Sequence, residues 1–247
     1  MHPLYSIITV TYNASQTIPA TIRSIASQTC RLFEWIVVDG ASTDDTVRLV
    51  EQAGISGLRL VSEPDEGLYD AMNKGLGMAH GDYVIFLNAG DAFHSPDTLQ
   101  AVADEIMDND YPGIVYGQTD IVDASGHKIS ERHLTAPTRL TVDSFRDGMV
   151  VCHQAFIVLR KLTTAYNRRY RFSADFEWCL LCLQRSNRNL YIDSVLIDYL
   201  SEGMTTRNRR ESLKERFAIM SHYFGFWPTL LRHFGFAARA LRRKLKA

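Results

Sequence analysis

Three polar clusters in the first part of the chain each follow a short apolar run. They are Thr11-Tyr12-Asn13, Asp39-Gly40 and Asn88-Ala89-Gly90-Asp91. A carboxylate in such a place can accept an N–H from a bound ring or help hold a hard cation such as Mg²⁺ or Mn²⁺. Between the second and third clusters, Asp70, Asn73 and Lys74 share one short helical stretch. Lys74 could offset phosphate charge there, with Asp70 and Asn73 orienting it or a ribose. Further on, Cys152-His153-Gln154 precedes another apolar run, and Asp175 and Glu177 stand two residues apart. Cys179-x-x-Cys182 has one metal-like spacing without a second pair. The same spacing puts both thiols on one helical face beside Trp178, Leu180 and Leu183, which predicts buried core cysteines.

The elements that must position these residues follow from hydrophobic period. Tyr5–Val10, Glu34–Val38, Leu58–Val61 and Tyr83–Leu87 are short and rich in β-branched residues, as buried strands are. Thr17–Gln28 carries Ile18, Ile22 and Ile25 at helical spacing. Ser42–Asp45 reads as a helix start, and Gly67–His80 as a helix stopped by Gly81. Strand–helix alternation predicts an α/β fold, a mixed but mostly parallel sheet flanked by helices. In such open sheets the ligand lies at the carboxyl ends of the strands, where the polar clusters fall. Residues 1–95 therefore read as a nucleotide-binding half. From Ser95 the alternation becomes irregular. Ile114–Tyr116, Ile121–Val122, Gln154–Leu159 and Tyr191–Leu200 read as strands, and Asp175–Leu183 as a helix. Glu211–Tyr223 and Thr229–Lys246 read as C-terminal helices.

The ordered segments Ser6–Asn13, Val37–Asp44 and Leu87–Asp91 resemble the motifs of family 2 glycosyltransferases, which have the Rossmann-like GT-A fold. Gly67-Leu68-Tyr69-Asp70-Ala71-Met72-Asn73-Lys74-Gly75 is similar to the WcaE-type transferases of colanic acid and bacterial surface polysaccharide assembly. The resemblance implies that 1–206 is the transferase domain, with 96–206 as the acceptor half and 207–247 as an appended helical segment. It implies an inverting sugar transfer from a nucleoside diphosphate, UDP favoured, to an acceptor hydroxyl. Tyr12 would stack on the base and Asp39 would accept its imide N–H. Thr11, Asn13, Asp70, Asn73, Lys74 and Asn88 would line the nucleotide. The family usually holds Mn²⁺ or Mg²⁺ with Asp-x-Asp; here only the final carboxylate, Asp91, stands. Phe172–Trp178 resembles the segment of the catalytic base, carried to Asp175 with Glu177 as the competing residue. His153 and Glu177 would face the sugar or acceptor, and Glu202–Thr206 resembles a flap segment over the diphosphate. A nucleotide-sugar-binding partner subunit without activity is the rival reading, supported by the thinned Asp-x-Asp.

The chain has 247 residues, is 46% hydrophobic and 22% charged, and carries a formal net charge of −1. These values fit a soluble globular protein. Charge is unevenly spread: seven basic and no acidic residues follow Glu215, which leaves residues 1–215 at −8. No signal peptide or transmembrane helix is expected, and four free cysteines fit a reducing cytoplasm. Trp227, Leu230, Leu231, Phe234, Ala238, Leu241 and Leu245 form one helical stripe, with Arg232, Arg239, Arg243 and Lys246 opposite and Phe236 off pattern. That geometry predicts a peripheral helix on an anionic membrane, where a polyprenyl-diphosphate-linked acceptor would lie; docking on its own domain or in a homodimer is the alternative. No nucleic-acid motif is present, and an acidic body would repel that backbone.

Overall fold

A computed structural model of the protein describes residues 2–201 and 209–244, with side chains for 2–201 and 210–236. The strands are β1 (Tyr5–Thr11), β2 (Phe33–Asp39), β3 (Leu58–Ser62), β4 (Tyr83–Phe86), β5 (Ala92–Phe93), β6 (Ile114–Val122), β7 (Lys128–Glu131), β8 (Phe156–Leu159) and β9 (Asn189–Leu200). The helices are α1 (Ile18–Ala26), α2 (Thr46–Glu51), α3 (Leu68–Met78), α4 (Thr98–Asp108), α5 (Ala174–Arg185), α6 (Arg209–Phe224) and α7 (Phe226–Lys244). One mixed sheet runs in the order β3-β2-β1-β4-β8-β6-β9-β5, with β7 paired to β6. Strands β1 to β4 are mutually parallel, and β8 joins β4 antiparallel.

Every residue of β1 and β2 is buried, because helices cover both faces of the sheet. Alternation sorts the strand side chains. Ile8, Val10, Ile36, Val38 and Phe86 pack toward α3 and α5, while Ile7, Trp35, Val37 and Ile85 pack toward α1 and α4. Helix α3 lies very close to the sheet: a Cβ on Gly75 would come within 2.5 Å of Ile8 Cγ2. Glycine is the residue that permits this approach.

The expected elements of residues 5–87 are present with shifted ends. Helix α2 starts at Thr46, later than expected, because Asp44 Oδ1 accepts the Thr46 N–H at 3.0 Å and its Oδ2 accepts the Ser15 N–H at 3.0 Å. The carboxylate is committed to a loop brace before the helix begins. Residues 114–122 form one nine-residue strand instead of two short ones; the register with β9 shifts around Gly117, which sits against Leu196, and pairing resumes beyond it. Helix α4 was not expected, although Leu99, Val102, Ala103 and Ile106 are buried on one face at helical spacing. Cys179 and Cys182 are fully buried free thiols, and burial pushes both well above the usual thiol range.

Helices α6 and α7 meet at Gly225, whose φ of +87° suits glycine. Ile219, Met220 and Phe224 bury α6 against the body. On α7 the expected stripe divides. Phe236 is partly buried against the core, and His233 packs on Phe217 at 4.9 Å. Trp227, Leu231 and Phe234 are 66–71% exposed. Phe236 is off the stripe because it belongs to the docked face. Arg232 is paired with Asp147 at 2.5 Å, so that charge is held by the body.

Candidate active site

The loops after β1 and β2 are braced by their own polar residues. Asn13, at φ +48°, accepts the Thr43 N–H at 2.9 Å through Oδ1, and its backbone N–H donates to Ser42 Oγ at 2.8 Å. Asp39 closes β2 with a fully buried carboxylate that takes four donors. These are Thr11 Oγ1 at 2.8 Å, Ser62 Oγ at 2.7 Å, the Ser42 N–H at 2.8 Å and the Ser42 hydroxyl. Burial works against ionisation here, yet the bonds from Ser42, Ser62 and Thr11 outweigh it and hold the carboxyl below the usual carboxylate range. Four donors fill both oxygens. An N–H from a base would have to displace one of them.

Tyr12, in contrast, is 66% exposed. A Cβ on Gly40 would lie 2.5 Å from Asp65 Oδ2 and 3.4 Å from Tyr12 Cδ2. The ring and this carboxylate therefore flank the same bare stretch of backbone. The sequence alone does not mark Asp65; its place in the loop after β3, at the carboxyl edge of the sheet, was the available signal.

Helix α3 uses its polar residues as ties. Asn73 clamps Tyr166 with both amide atoms, accepting its N–H at 2.7 Å and donating to its carbonyl at 3.0 Å. Asp70 pairs with Arg168 at 2.8 Å, and Lys74 with Glu63 at 2.7 Å. Asn73 thus ties α3 to the segment at Tyr166, and keeps one N–H and one lone pair beyond these two bonds.

At the end of β4, Asp91 is 4% exposed and turned inward. It accepts Gln154 Nε2 at 2.7 Å and the Leu200 N–H at 3.0 Å. Burial pushes its carboxyl up to about 7 despite these bonds. Asn88 Oδ1 is buried and, among the described residues, has no partner. For a hard cation, this motif offers one unengaged neutral oxygen and one carboxylate that must first release its donors. A second acidic cluster lies elsewhere: ligand atoms of His94, Asp120 and Asp198 come within 4.8 Å of one another. Asp198 precedes Tyr199 on β9, so alternation puts it on the other sheet face from Tyr199, whose hydroxyl feels Asp91 and Asp175. Lys128 already pairs with Asp120 at 2.9 Å.

Asp175 lies in the first turn of α5 and is half-buried. Its Oδ1 accepts the Tyr69 hydroxyl at 3.1 Å and the Phe176 N–H at 2.9 Å. Among the described residues, Oδ2 accepts no hydrogen bond, so it can receive a proton. Glu177, the competing residue, is 7% exposed and faces Tyr170 and Tyr223, because α5 turns it toward α6. His153 is also enclosed. Phe86 stacks on it at 5.0 Å, Trp178 meets it edge-on, and Nε2 is 2.7 Å from the Tyr166 hydroxyl. Burial lowers its pKa to about 4, so the ring is neutral at pH 7. Both residues, expected on the sugar or acceptor side, have buried side chains. Glu202–Thr206 lies outside the described residues.

The mixed sheet flanked by helices, with polar loops at the carboxyl ends of its parallel strands, is the arrangement of a GT-A glycosyltransferase. Its Glycosyl transferase family 2 model matches residues 6–165, and the chain belongs to that family. A PGL/p-HBAD biosynthesis glycosyltransferase of Mycobacterium bovis (strain BCG / Pasteur 1173P2) is 36% identical over 186 residues, spanning 73% of this chain and 70% of the relative. Chondroitin synthase of Escherichia coli is 26% identical over 72% of this chain and 26% of its own length. Among solved structures, S. aureus TarS in complex with UDP-GlcNAc has a TM-score of 0.70 at 19% identity, covering 94% of this chain and 73% of that one. Mannosyltransferase PcManGT from Pyrobaculum calidifontis, in complex with GDP-Man and Mn²⁺, has a TM-score of 0.60 at 19% identity, covering 98% and 76%. The protein is a glycosyltransferase of GT-A fold.

Proposed function

We propose that the protein transfers a sugar from a UDP-sugar to an acceptor hydroxyl with inversion, and that Asp175 is the base. The observation that carries this reading is the open Oδ2 of Asp175, on a carboxylate whose other oxygen is fixed by Tyr69 and the helix start. The acceptor oxygen attacks the anomeric carbon, its proton passes to Asp175 Oδ2, and the bond to the diphosphate breaks. Tyr12 supplies the stacking face for the base, with Asp39 holding the loop below it through Thr11 and Ser42. Mn²⁺ or Mg²⁺ would be held by Asn88 and Asp91, once Asp91 exchanges Gln154 and Leu200, and would neutralise diphosphate charge. Binding tests this reading first. In a thermal-shift panel of nucleotide sugars with and without Mn²⁺, a UDP-sugar should raise Tm more than GDP- or dTDP-sugars, because a ligand selective for the folded state stabilises it. Equal shifts for all bases would remove uracil from the account.

The acceptor is proposed to be a lipid-linked glycan of surface polysaccharide assembly, reached by α7 lying on the cytoplasmic face of an anionic membrane. Support comes from Trp227, Leu231 and Phe234, exposed together on one side of α7, in a segment with no acidic residue. Among the described residues no helix is long and apolar enough to cross a membrane. The full chain should bind anionic liposomes at low salt and detach as salt rises, with each basic residue near the surface contributing roughly 1 kcal/mol. Deleting 227–247 should abolish binding while donor hydrolysis persists. Indifference of the full chain to such liposomes would assign the exposed face to a second copy of the chain.

A further inference from the structure

Helix α6 carries a cation that nothing in the transfer reaction described above uses. Arg216 is partly buried, and among the described residues its buried Nε has no hydrogen-bond partner. Among the described residues its guanidinium pairs with no carboxylate and lies over the Phe176 ring, its carbon 5.8 Å from the ring centre. A charged donor buried without a partner is costly, so a fold that keeps one usually keeps it for a ligand. The groups sharing its surroundings place it beside the proposed base: Asp175, the Tyr69 hydroxyl bonded to Asp175, and Arg132.

Arg132 adds a second fixed positive charge. It stands at the end of β7 and donates to the Leu134 carbonyl at 3.1 Å and the Met149 carbonyl at 2.6 Å. Those bonds fix its direction without neutralising it. Burial disfavours the charged form of Arg216, Asp175 favours it, and Arg132 opposes it. Two guanidinium groups close enough to repel each other, with one carboxylate nearby, leave a local excess of positive charge.

The mounting of Arg216 is rigid. Its neighbour Glu215 accepts the Arg171 and Phe172 N–H groups, both at 2.8 Å. Ser173 Oγ lies 2.9 Å from Ser212 Oγ. Three residues ahead of Asp175, Arg171 to Ser173, and the first turns of α6 are thus tied together, and Arg216 is held at the start of α5. A guanidinium fork matches phosphate oxygens in geometry as well as charge.

We propose that Arg216, reinforced by Arg132, is an anion subsite on the Asp175 side of the cleft that takes a phosphate group of a substrate. The inference rests on the transferase reading only for where that phosphate comes from, the donor diphosphate or a diphosphate on the acceptor. In either case a fixed side-chain cation would share the role that the thinned Asn88–Asp91 motif leaves to a metal.

The test measures binding of uridine, UDP and farnesyl diphosphate to the full chain and to Arg216→Met and Arg216→Lys, by calorimetry in EDTA. If the phosphate is the donor's, Arg216→Met loses at least tenfold in UDP affinity and none for uridine. If it is the acceptor's, the loss is confined to farnesyl diphosphate. Without ligand, Arg216→Met should melt no lower than the parent, because a buried donor without a partner is gone. Should it fail to fold, Arg216→Lys carries the binding test, with a smaller loss for the same probe because the fork is absent. Unchanged affinity for both phosphate probes in a folded variant overturns the subsite. A parent chain that binds neither uridine nor UDP contradicts the UDP-donor reading instead, and the farnesyl diphosphate arm then decides the subsite alone.

Discussion

Replacing Asp175 with Asn should cut sugar transfer by ~10²–10⁴-fold while leaving donor affinity within about twofold. The amide keeps the shape of the carboxylate and can still accept the Tyr69 hydroxyl through its oxygen. It cannot take a proton from the acceptor. The loss should therefore fall on turnover and not on donor binding. Glu177→Gln is the matched control. Its carboxyl is buried on the α6 side of the helix, so its substitution should change stability more than turnover. If Glu177→Gln is the crippling change and Asp175→Asn is mild, the base has been placed on the wrong side of α5. Donor titration together with single-turnover rates for both variants distinguishes the two outcomes.

The second large effect concerns Asp91 and pH. Its carboxyl titrates near 7 in the folded chain and near the ordinary 3.8 when exposed. Between those values the folded state holds a proton that the unfolded state has released. Stability is then full below about 4 and declines as pH rises through about 7, by at most about 4 kcal/mol for this one group. Asp91→Asn has no proton to lose. In EDTA, its Tm should exceed that of the parent at pH 8, and the difference should shrink toward pH 5. A parent and variant with parallel Tm profiles across that range would mean that Asp91 is ionised throughout. Cation dependence can be read from the same pair. If Asp91 ligates Mn²⁺, added Mn²⁺ should strengthen donor binding by the parent at pH 8 and leave the variant unchanged.

Much of the fold was legible because the first half obeys simple periodicities. Ile8, Val38 and Phe86 alternate with Ile7, Val37 and Ile85, and helices cover both faces. Strand β5 has two residues and β7 four exposed ones, too few to show a period. Helix α4 has the right spacing, but the polar stretch before it hid the start. The split of the α7 stripe is a tertiary result: 3.6-residue geometry shows which residues share a face, not which face docks. Phe236 alone signalled a second, inward side.

The placement of the polar residues was more legible than their partners. Polar residues after β1, β2 and β4 do gather at the carboxyl edge of the sheet. Which of them reach solvent depends on partners far away in sequence. Asp39 is filled by Ser62 as well as its neighbours, Asn73 is taken by Tyr166, and Asp91 by Gln154 and Leu200. His153 and Glu177 are buried by contacts that no local pattern encodes. Asp65 and Arg216 became visible through the reverse condition. One flanks a glycine that a side chain could not replace without displacing it, and the other is a donor left without an acceptor.

The central claim is sugar transfer from a nucleoside diphosphate with Asp175 as base. The most direct measurement incubates the full chain with UDP-sugars of known anomeric configuration and an acceptor glycan, and reads the configuration of the new linkage by NMR. A single proton-accepting carboxylate beside a departing diphosphate predicts one displacement and therefore inversion at the anomeric carbon. A product that retains the donor configuration, or UDP release that persists at the parental rate in Asp175→Asn, would contradict it.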